Sequence, residues 1–390
     1  MNRNSRIATI LAFILTLVMA LSFTACGSGT NDSEATQDTT APVEAEDEVL
    51  ETLFFTSDYQ EETGWASPGE TLTNLIHAVQ NDGKEIDEFI ICGDYTNDRN
   101  LHDYQLSPDD SISEIKDIVE SECPDLSAEN IIFTQGNHDH WSESFESSGL
   151  HEFDDYLVYV LNTEKDFPWK QGKVAGSHDK VNAAAKAMND CFDELIQAGE
   201  TRPVIVAGHV PLHFTGRTSS LHTTGDNLYS SVLFDVINEA GKSLDITFLF
   251  GHNHTKGWDC YLGQSCVFKE AGDEILIPKF SDSDLTTDEY TVEELNFTYM
   301  NAGYVGHCMN CSPEEIDNGT ADQYEAADDT LTATICEIYK DKIVYTRYSA
   351  DGVYQISSAG CASPYFDDSD LIPSEYYSEQ IDSPVTVLRK

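Results

Sequence analysis

The chain has 390 residues, of which 40% are hydrophobic, and its 70 acidic residues outnumber 21 basic ones, giving a formal net charge of −49. A chain of this size and composition can bury the core of one large domain or of two small ones. The charge argues against nucleic-acid binding, because an acidic surface repels polyanions.

The first 25 residues have the pattern of an export signal. Arg3 and Arg6 precede an uncharged apolar stretch at 7–23, which matches the positive and apolar regions of a secretory signal. Cys26 follows two small residues, an arrangement that resembles the processing site of bacterial lipoproteins. We therefore expect 1–25 to be a lipoprotein signal peptide and Cys26 to be lipidated, so that an exported protein is anchored to the cell membrane at the cell surface. An uncleaved membrane anchor is the alternative, since 17 apolar residues approach the lower limit for spanning a bilayer.

Three further segments are expected after the signal. Residues 26–48 are acidic, lack aromatic side chains and carry almost no apolar ones, so they are predicted to form a disordered tether. Residues 49–350 are predicted to form the folded domain. The last stretch, 351–390, is rich in Ser, Asp and Tyr, and its pattern predicts no particular structure for this C-terminal extension.

Short apolar runs in the domain each end on a cluster of polar residues. Runs of this length, bounded by Gly and polar residues, predict buried strands. They lie at 53–58, 89–94, 131–139, 204–209 and 246–254. Because Asp, Asn and His at strand ends place oxygen and imidazole ligands where loops converge, the pattern predicts a divalent-metal site.

Helical periodicity alternates with these strands. Apolar residues spaced three and four apart predict helices that include 72–79, 112–119, 178–198 and 226–240, and a further strand is expected at 156–162. After residue 254 the apolar runs have strand character, at 266–270, 274–280, 332–339 and 342–350, with a hairpin turn at 340–342. The order of elements predicts an α+β protein, mixed first and mostly β later.

Taken in order, the polar clusters resemble the motifs of the calcineurin-like metallophosphoesterase family. That family carries Asp-x-His, Gly-Asp-x-x-Asp/Asn, Gly-Asn-His-Asp/Glu, Gly-His and Gly-His-x-His. The corresponding clusters here are at 58–60, 93–97, 136–139, 208–209 and 251–254. The resemblance covers roughly residues 50–255 and implies a four-layer α/β/β/α sandwich, in which two central mixed β-sheets are flanked by helices.

The resemblance also implies a centre of two divalent metal ions, with Mn, Fe and Zn as the candidate metals. It assigns Asp94 as the bridging carboxylate and assigns one ion to Asp58 and His254. The other ion is assigned to Asn137, His209 and His252. Since His252 and His254 are two residues apart, they reach different metals only if the segment leaves the extended conformation, which we expect Gly251 to allow.

Gln60 departs from the family pattern, because it stands where the family has a ligand His. A neutral amide oxygen is a poorer ligand than imidazole for a transition metal, so Gln60 is a doubtful ligand. We expect this ion to bind weakly, to take water in place of a side chain, or to be a harder cation.

The resemblance assigns the proton donor to His138, which would protonate the leaving oxygen while Asp139 orients its ring and raises its pKa. Asn97, His213 and Arg217 lie close to the motifs and are predicted to contact substrate.

The predicted function is a metal-dependent phosphoesterase that hydrolyses small phosphomonoesters or phosphodiesters outside the cell through a metal-bound hydroxide. The predicted partners are a small phosphorylated substrate and, through the lipid anchor, the membrane. The alternative is a non-catalytic metal-binding surface lipoprotein with a degenerate site, which Gln60 favours.

Overall fold

The computed structural model describes most of the chain from residue 48 onward. The described residues are 48–60, 68–96, 107–162, 177–212, 231–252, 268–278, 290–306, 331–349, 352–354, 356–358, 379–381 and 384–390. Residues 47–390 form one compact unit. The predicted signal peptide, the predicted lipidation site at Cys26 and nearly all of the predicted tether lie outside the described residues.

Helices and strands alternate in the first half of the domain, and strands dominate the second half. The helices are α1 (Pro68–Asn81), α2 (Pro108–Glu122), α3 (Ser177–Ala198) and α4 (Ser231–Ala240), with a 3₁₀ turn at Ala128–Asn130. The strands are β1 (Val49–Thr56), β2 (Glu88–Ile91), β3 (Ile131–Phe133), β4 (Gly149–Glu152), β5 (Leu157–Leu161), β6 (Val204–Gly208), β7 (Ile246–Phe250), β8 (Phe268–Lys269), β9 (Glu274–Pro278), β10 (Tyr290–Glu294), β11 (Thr298–Asn301), β12 (Gly303–Tyr304), β13 (Thr332–Tyr339), β14 (Lys342–Ser349), β15 (Gly352–Tyr354), β16 (Ile356–Ser358), β17 (Glu379–Ile381) and β18 (Val385–Leu388).

Two mixed sheets form the centre of the domain. The first has the order β15-β14-β13-β1-β2-β3, with β12 paired to β13 and β18 paired to β14. The second has the order β4-β5-β6-β7-β11-β8. Strands β1, β2 and β3 are parallel, as are β5, β6, β7 and β11, so several strands of each sheet end at the same edge.

The parallel strands β2, β5, β6 and β7 are buried on both faces, which explains why their sequences are almost entirely apolar. In β1, Leu53 and Phe55 point into the layer between the sheets, whereas Phe54 packs with α1 and α2. In β6, Val206 packs with α3 and α4, whereas Ile205 points between the sheets. The layers are thus helices, sheet, sheet and helices, and the predicted α/β/β/α architecture is confirmed.

The helices form where the periodicity predicts them. Helix α2 begins at Pro108, a residue that suits the first helical turn, and the side chain of Ser107 caps it by accepting the N–H of Asp109. Its apolar stripe, which includes Ile112 and Ile115, is buried against the first sheet. Among the described residues, no helix has the length and hydrophobicity needed to cross a bilayer.

Part of the C-terminal extension completes the first sheet. Strand β18 adds antiparallel to β14, and the backbone N–H of Lys390 donates to the carboxylate of Asp245, at 2.8 Å to one oxygen. The described part of 351–390 therefore belongs to the folded domain.

Candidate metal centre

The carboxyl ends of strands from both sheets deliver buried polar side chains to one place. Asp94 follows β2, His209 follows β6 and His252 follows β7, and all three are buried. One ligand atom from each lies within 4.8 Å of the other two. A carboxylate and two imidazoles form a donor set that suits a divalent transition metal.

Asn137 joins the same cluster through His209. The Nε2 atom of His209 lies 3.0 Å from Oδ1 of Asn137 and 3.1 Å from Oδ2 of Asp94. The other ring nitrogen, Nδ1, lies 2.6 Å from the carbonyl oxygen of Cys92, so it carries the proton and donates it. This outer contact fixes the ring and leaves Nε2 as the atom that faces a cation.

The electrostatics of the cluster are those of tightly coupled opposite charges. Burial raises the pKa of Asp94, but the imidazoles of His209 and His138 outweigh it and hold that pKa well below its usual range. For His209, burial lowers the pKa while Asp94 and Asp58 raise it, to about 9. The centre thus attracts positive charge, whether a proton or a metal ion.

Asp58 follows β1 and lies beside His252. Its Oδ2 accepts the backbone N–H of His252 at 2.8 Å and also the hydroxyl of Ser57. Its carbonyl oxygen accepts the N–H of Gly306 at 2.8 Å. The first and last of the five motifs are therefore joined directly.

The chain leaves the extended conformation at the last motif, where His252 has a positive φ of 65°. Gly251 allows this turn because it has no side chain: a Cβ there would lie 1.7 Å from Oγ of Ser57 and 2.7 Å from Oδ2 of Asp58.

Gln60 lies in the centre, at 1% exposure. Its Nε2 donates to Oδ2 of Asp94 at 3.2 Å. Its Oε1 is buried and has no hydrogen-bond partner among the described residues. An unpaired buried amide oxygen is costly, and a cation bound beside Asp94 would satisfy it, so the residues present fit the metal ions that the motifs imply.

Two glycines allow the loops to approach each other. A Cβ on Gly136 would lie 2.1 Å from both N and Oδ1 of Asp94, and a Cβ on Gly93 would lie 2.7 Å from the backbone of Gly136. Any other residue at position 136 would push Asp94 away from the cluster.

Asp139 joins two of the loops through its side chain. Its two carboxylate oxygens accept backbone N–H groups from Asp94 (2.9 Å), Tyr95 (2.8 Å), Thr96 (3.2 Å) and Gly136 (2.9 Å). The carboxylate therefore pins the loop after β2 to the loop after β3. That Asp139 also orients the His138 ring stays a prediction.

His138 lies at the rim of the centre, with 15% of its side chain exposed. Its backbone N–H donates to Oδ1 of Asp94 at 2.8 Å, and its Nε2 lies 3.9 Å from Oδ2 of Asp94. The ring is thus tied to the carboxylate that bridges the motifs, while part of it stays accessible to solvent.

Six of the predicted ligands and both residues predicted for proton transfer are described and lie together or next to one another. The predicted ligand His254 and the predicted substrate contacts Asn97, His213 and Arg217 lie outside the described residues. Sequence reasoning did not identify Asn301, which donates to the carbonyl of Gly251, or Arg347, which contacts Asn301. A polar residue at the end of an apolar run could have indicated Asn301, whereas no sequence pattern indicates Arg347.

The sequence matches the family described as calcineurin-like phosphoesterase over residues 52–256. No curated protein matches the sequence.

Solved structures that match this chain include a dimetal phosphatase from Danio rerio, with 11% identity and a TM-score of 0.46, over 79% of this chain and 98% of that one. A conserved protein of Streptococcus pneumoniae, described as a predicted phosphoesterase, shows 11% identity and a TM-score of 0.30 over 85% and 97% of the two chains. A purple acid phosphatase from yellow lupin seeds shows 10% identity and a TM-score of 0.39 over 78% and 52%.

Proposed function

Because the chain belongs to the calcineurin-like phosphoesterase family and is therefore a hydrolase of phosphoric esters, we propose that it cleaves small phosphomonoesters or phosphodiesters outside the cell. The observation that carries the proposal is the convergence of Asp94, His209 and His252, with ligand atoms within 4.8 Å of one another in a buried site.

The family uses two divalent cations, which when bound neutralise the charge of the phosphoryl group and acidify a water molecule. In this chain Asn137, His209 and His252 would hold one cation, and Asp58, Gln60 and His254 the other. Asp94 lies between the two sets, since its Oδ2 contacts both His209 and Gln60.

His138 is the proposed proton donor to the leaving oxygen. An imidazole is suited to proton transfer near neutral pH, and this one is both accessible and held next to Asp94. Asp139 contributes by fixing the two loops that carry Asp94 and His138. The proton donor His138 and the bound cations would therefore keep their relative positions.

The proposal of an extracellular site rests on the N-terminal sequence. Arg3, Arg6, the apolar stretch at 7–23 and Cys26 support export and lipid anchoring. Mass spectrometry of the protein purified from membranes tests it. A lipid-modified Cys26 at the mature N-terminus is expected, and the Cys26→Ser variant should leave the membrane fraction; an unmodified, uncleaved N-terminus would contradict the proposal.

Hydrolysis is tested with metal-free protein supplied with Mn²⁺, Fe²⁺ or Zn²⁺ and assayed on p-nitrophenyl phosphate and bis-p-nitrophenyl phosphate. His209→Ala removes a ligand, and we expect a loss of activity of about 100-fold or more, since disturbing even the outer contacts of a metal site costs roughly 10–100-fold. His77→Ala is the matched control, because His77 lies on α1 and contacts Glu122 on α2.

The activity of His209→Ala and metal binding by the wild-type protein distinguish the proposal from its alternative. Full activity in His209→Ala would refute the proposed centre. Tight metal binding by the wild-type protein without hydrolysis of any ester would support the alternative, a surface lipoprotein that binds metal without catalysis, which Gln60 favours.

A further inference from the structure

The segment 301–306 connects the second sheet to the first and contacts the loops that carry ligands. The N–H of Ala302 donates to the carbonyl of Phe250 at the end of β7, at 2.8 Å. The N–H of Gly306 donates to the carbonyl of Asp58, also at 2.8 Å. This segment lies outside all five motifs, yet it holds two of the loops that the motifs form.

Asn301, at the end of β11, makes the side-chain contact in this segment. It is fully buried, and its Oδ1 accepts the N–H of Gly303 at 3.1 Å and Nη2 of Arg347 at 3.2 Å. With the oxygen fixed by two donors, the amide nitrogen must face the other way. It donates to the carbonyl of Gly251 at 3.3 Å.

Arg347 fixes Asn301. It lies on β14 with 1% exposure, on the face that points between the sheets, as Tyr345 does. Its Nη1 donates to the carbonyl of Asn301 at 2.6 Å and to Oγ1 of Thr334 at 2.8 Å. A guanidinium is costly to remove from water unless its donors are used, so these bonds strongly favour one arrangement of Asn301.

The Gly251–His252 turn depends on this arrangement. The N–H of Gly251 donates to the carbonyl of His209 at 2.8 Å, while its carbonyl accepts from Asn301, so this residue is held on both sides. The next residue, His252, has a φ of 65°, a conformation that L residues rarely adopt without support. Its N–H then reaches Asp58.

We infer that Arg347 and Asn301 are positioning residues: Arg347 orients the side-chain amide of Asn301, and that amide holds the Gly251–His252 turn in the conformation that presents His252 to a divalent cation. The inference rests on the proposed function, because it takes His252 to be a ligand.

Calorimetric titration of Mn²⁺ into the metal-free protein tests the inference, with the melting temperature measured on the same samples. Asn301→Asp keeps the oxygen that Arg347 and Gly303 contact, but replaces the donor to Gly251 with a second oxygen that repels its carbonyl. Arg347→Lys keeps the charge and loses the paired donors. If one variant fails to fold, the other still tests the inference.

Tyr345→Phe is the matched control. Tyr345 lies two residues before Arg347 on β14, and its hydroxyl bonds Oγ1 of Thr247 on the second sheet at 2.5 Å. This change also removes a buried hydrogen bond between the sheets, but among the described residues Tyr345 is bonded to strands and not to the loops of Asp58, Asp94 or His252.

We expect Asn301→Asp and Arg347→Lys to raise the Kd for Mn²⁺ about 10–100-fold, as loss of outer contacts at metal sites does. Hydrolysis should recover at high Mn²⁺ concentration with an unchanged KM for p-nitrophenyl phosphate. Tyr345→Phe should lower the melting temperature and leave the Kd unchanged.

A purely structural role predicts a different result. If both variants melt earlier but bind Mn²⁺ with the wild-type Kd, as the control does, the inference is overturned while the proposed function stands. If the wild-type protein binds neither Mn²⁺, Fe²⁺ nor Zn²⁺, the proposed function fails and the inference fails with it.

Discussion

At the scale of single residues, the centre is built from strained backbone. Among the described residues, the non-glycine residues with positive φ are Asp58 (52°), Gln60 (26°), Asp94 (58°) and His252 (65°). Each follows closely on the end of a strand, and each lies in the cluster. Such conformations cost on the order of 1–3 kcal/mol each, so the hydrogen bonds between the loops must offset them.

These residues could be predicted from the sequence, but their backbone conformations could not. A polar residue after an apolar run is visible in the sequence, and so are the glycines that accompany it. The positive φ of His252 is not, because it is set by partners far away in the chain, such as Asp58. The backbone contacts of Asp139 were missed for the same reason, since the four N–H groups it accepts come from loops that meet only in the fold.

Gln60→His tests how the side chain at this position sets metal preference. Imidazole binds Zn²⁺ better than an amide oxygen does, so we expect the variant to bind Zn²⁺ at least about tenfold more tightly relative to Mn²⁺. Competitive calorimetric titration measures the ratio. Gln80→His, an exposed change on α1, is the control, and an unchanged ratio in Gln60→His would mean that residue 60 is not a ligand.

At the scale of elements, periodicity predicted the helices and most strands of the first half. It missed β4 in the first half and, later in the chain, β10, β11, β12 and β15 to β18, all of them two to five residues long. Strand β11 is the most important omission, because it inserts beside β7 and ends at Asn301. Its aromatic and β-branched residues were a signal, but so short a run carries little information about which strand it pairs with.

The opposite end of the parallel strands carries a buried acid. Glu88 begins β2 and is almost fully buried, and burial raises its pKa to about 7, with Glu51 on β1 and Asp87 adding repulsion and Asn130 partly opposing it. Tyr156, directly before β5, also lies close to it. Glu88 is at the start of β2, whereas Asp94 follows the other end of that strand.

Glu88 gives stability a predictable dependence on pH. Its pKa is about 7 when folded against an ordinary value of 4.5, so between these values the folded protein holds a proton that the unfolded chain has released. The free energy of unfolding must therefore fall as pH rises from about 4.5 to 7. Glu88→Gln should remove part of this fall and be more stable than wild type at pH 8 by about 1–2 kcal/mol, allowing for solvent screening.

Urea denaturation at pH 5 and pH 8 measures the effect. Glu129→Gln, at an exposed position of the 3₁₀ turn, is the control and should follow the wild-type pH dependence. A Glu88→Gln variant that loses as much stability as wild type over this range would contradict the assignment.

At the scale of the whole molecule, the net charge of −49 has opposite effects on the binding of metal cations and of phosphate esters. It attracts divalent cations and repels anionic phosphate esters, and both effects weaken as salt shortens the Debye length from about 30 Å at 0.01 M to about 8 Å at 0.15 M.

We therefore expect added NaCl to raise the Kd for Mn²⁺ and, at saturating Mn²⁺, to raise kcat/KM for p-nitrophenyl phosphate a few-fold, with little change in kcat. Steady-state kinetics at the two salt concentrations check this. A fall in kcat/KM at saturating Mn²⁺ would mean that the local field of the bound cations, and not the net charge of the protein, governs substrate capture.

Strand β1 lies between β2 and β13, and Phe55 of β1 pairs with Thr334 of β13. During translation β2 follows soon after β1, whereas β13 is made only after the whole second sheet. Until then that edge of β1 lacks its neighbour, and β12, which leads to Gly306 and the loop with Asp58, lacks the strand it pairs with. A nascent or truncated chain that ends before residue 331 should therefore be unable to load its cations, and maturation of the enzyme waits for the last strands of the first sheet.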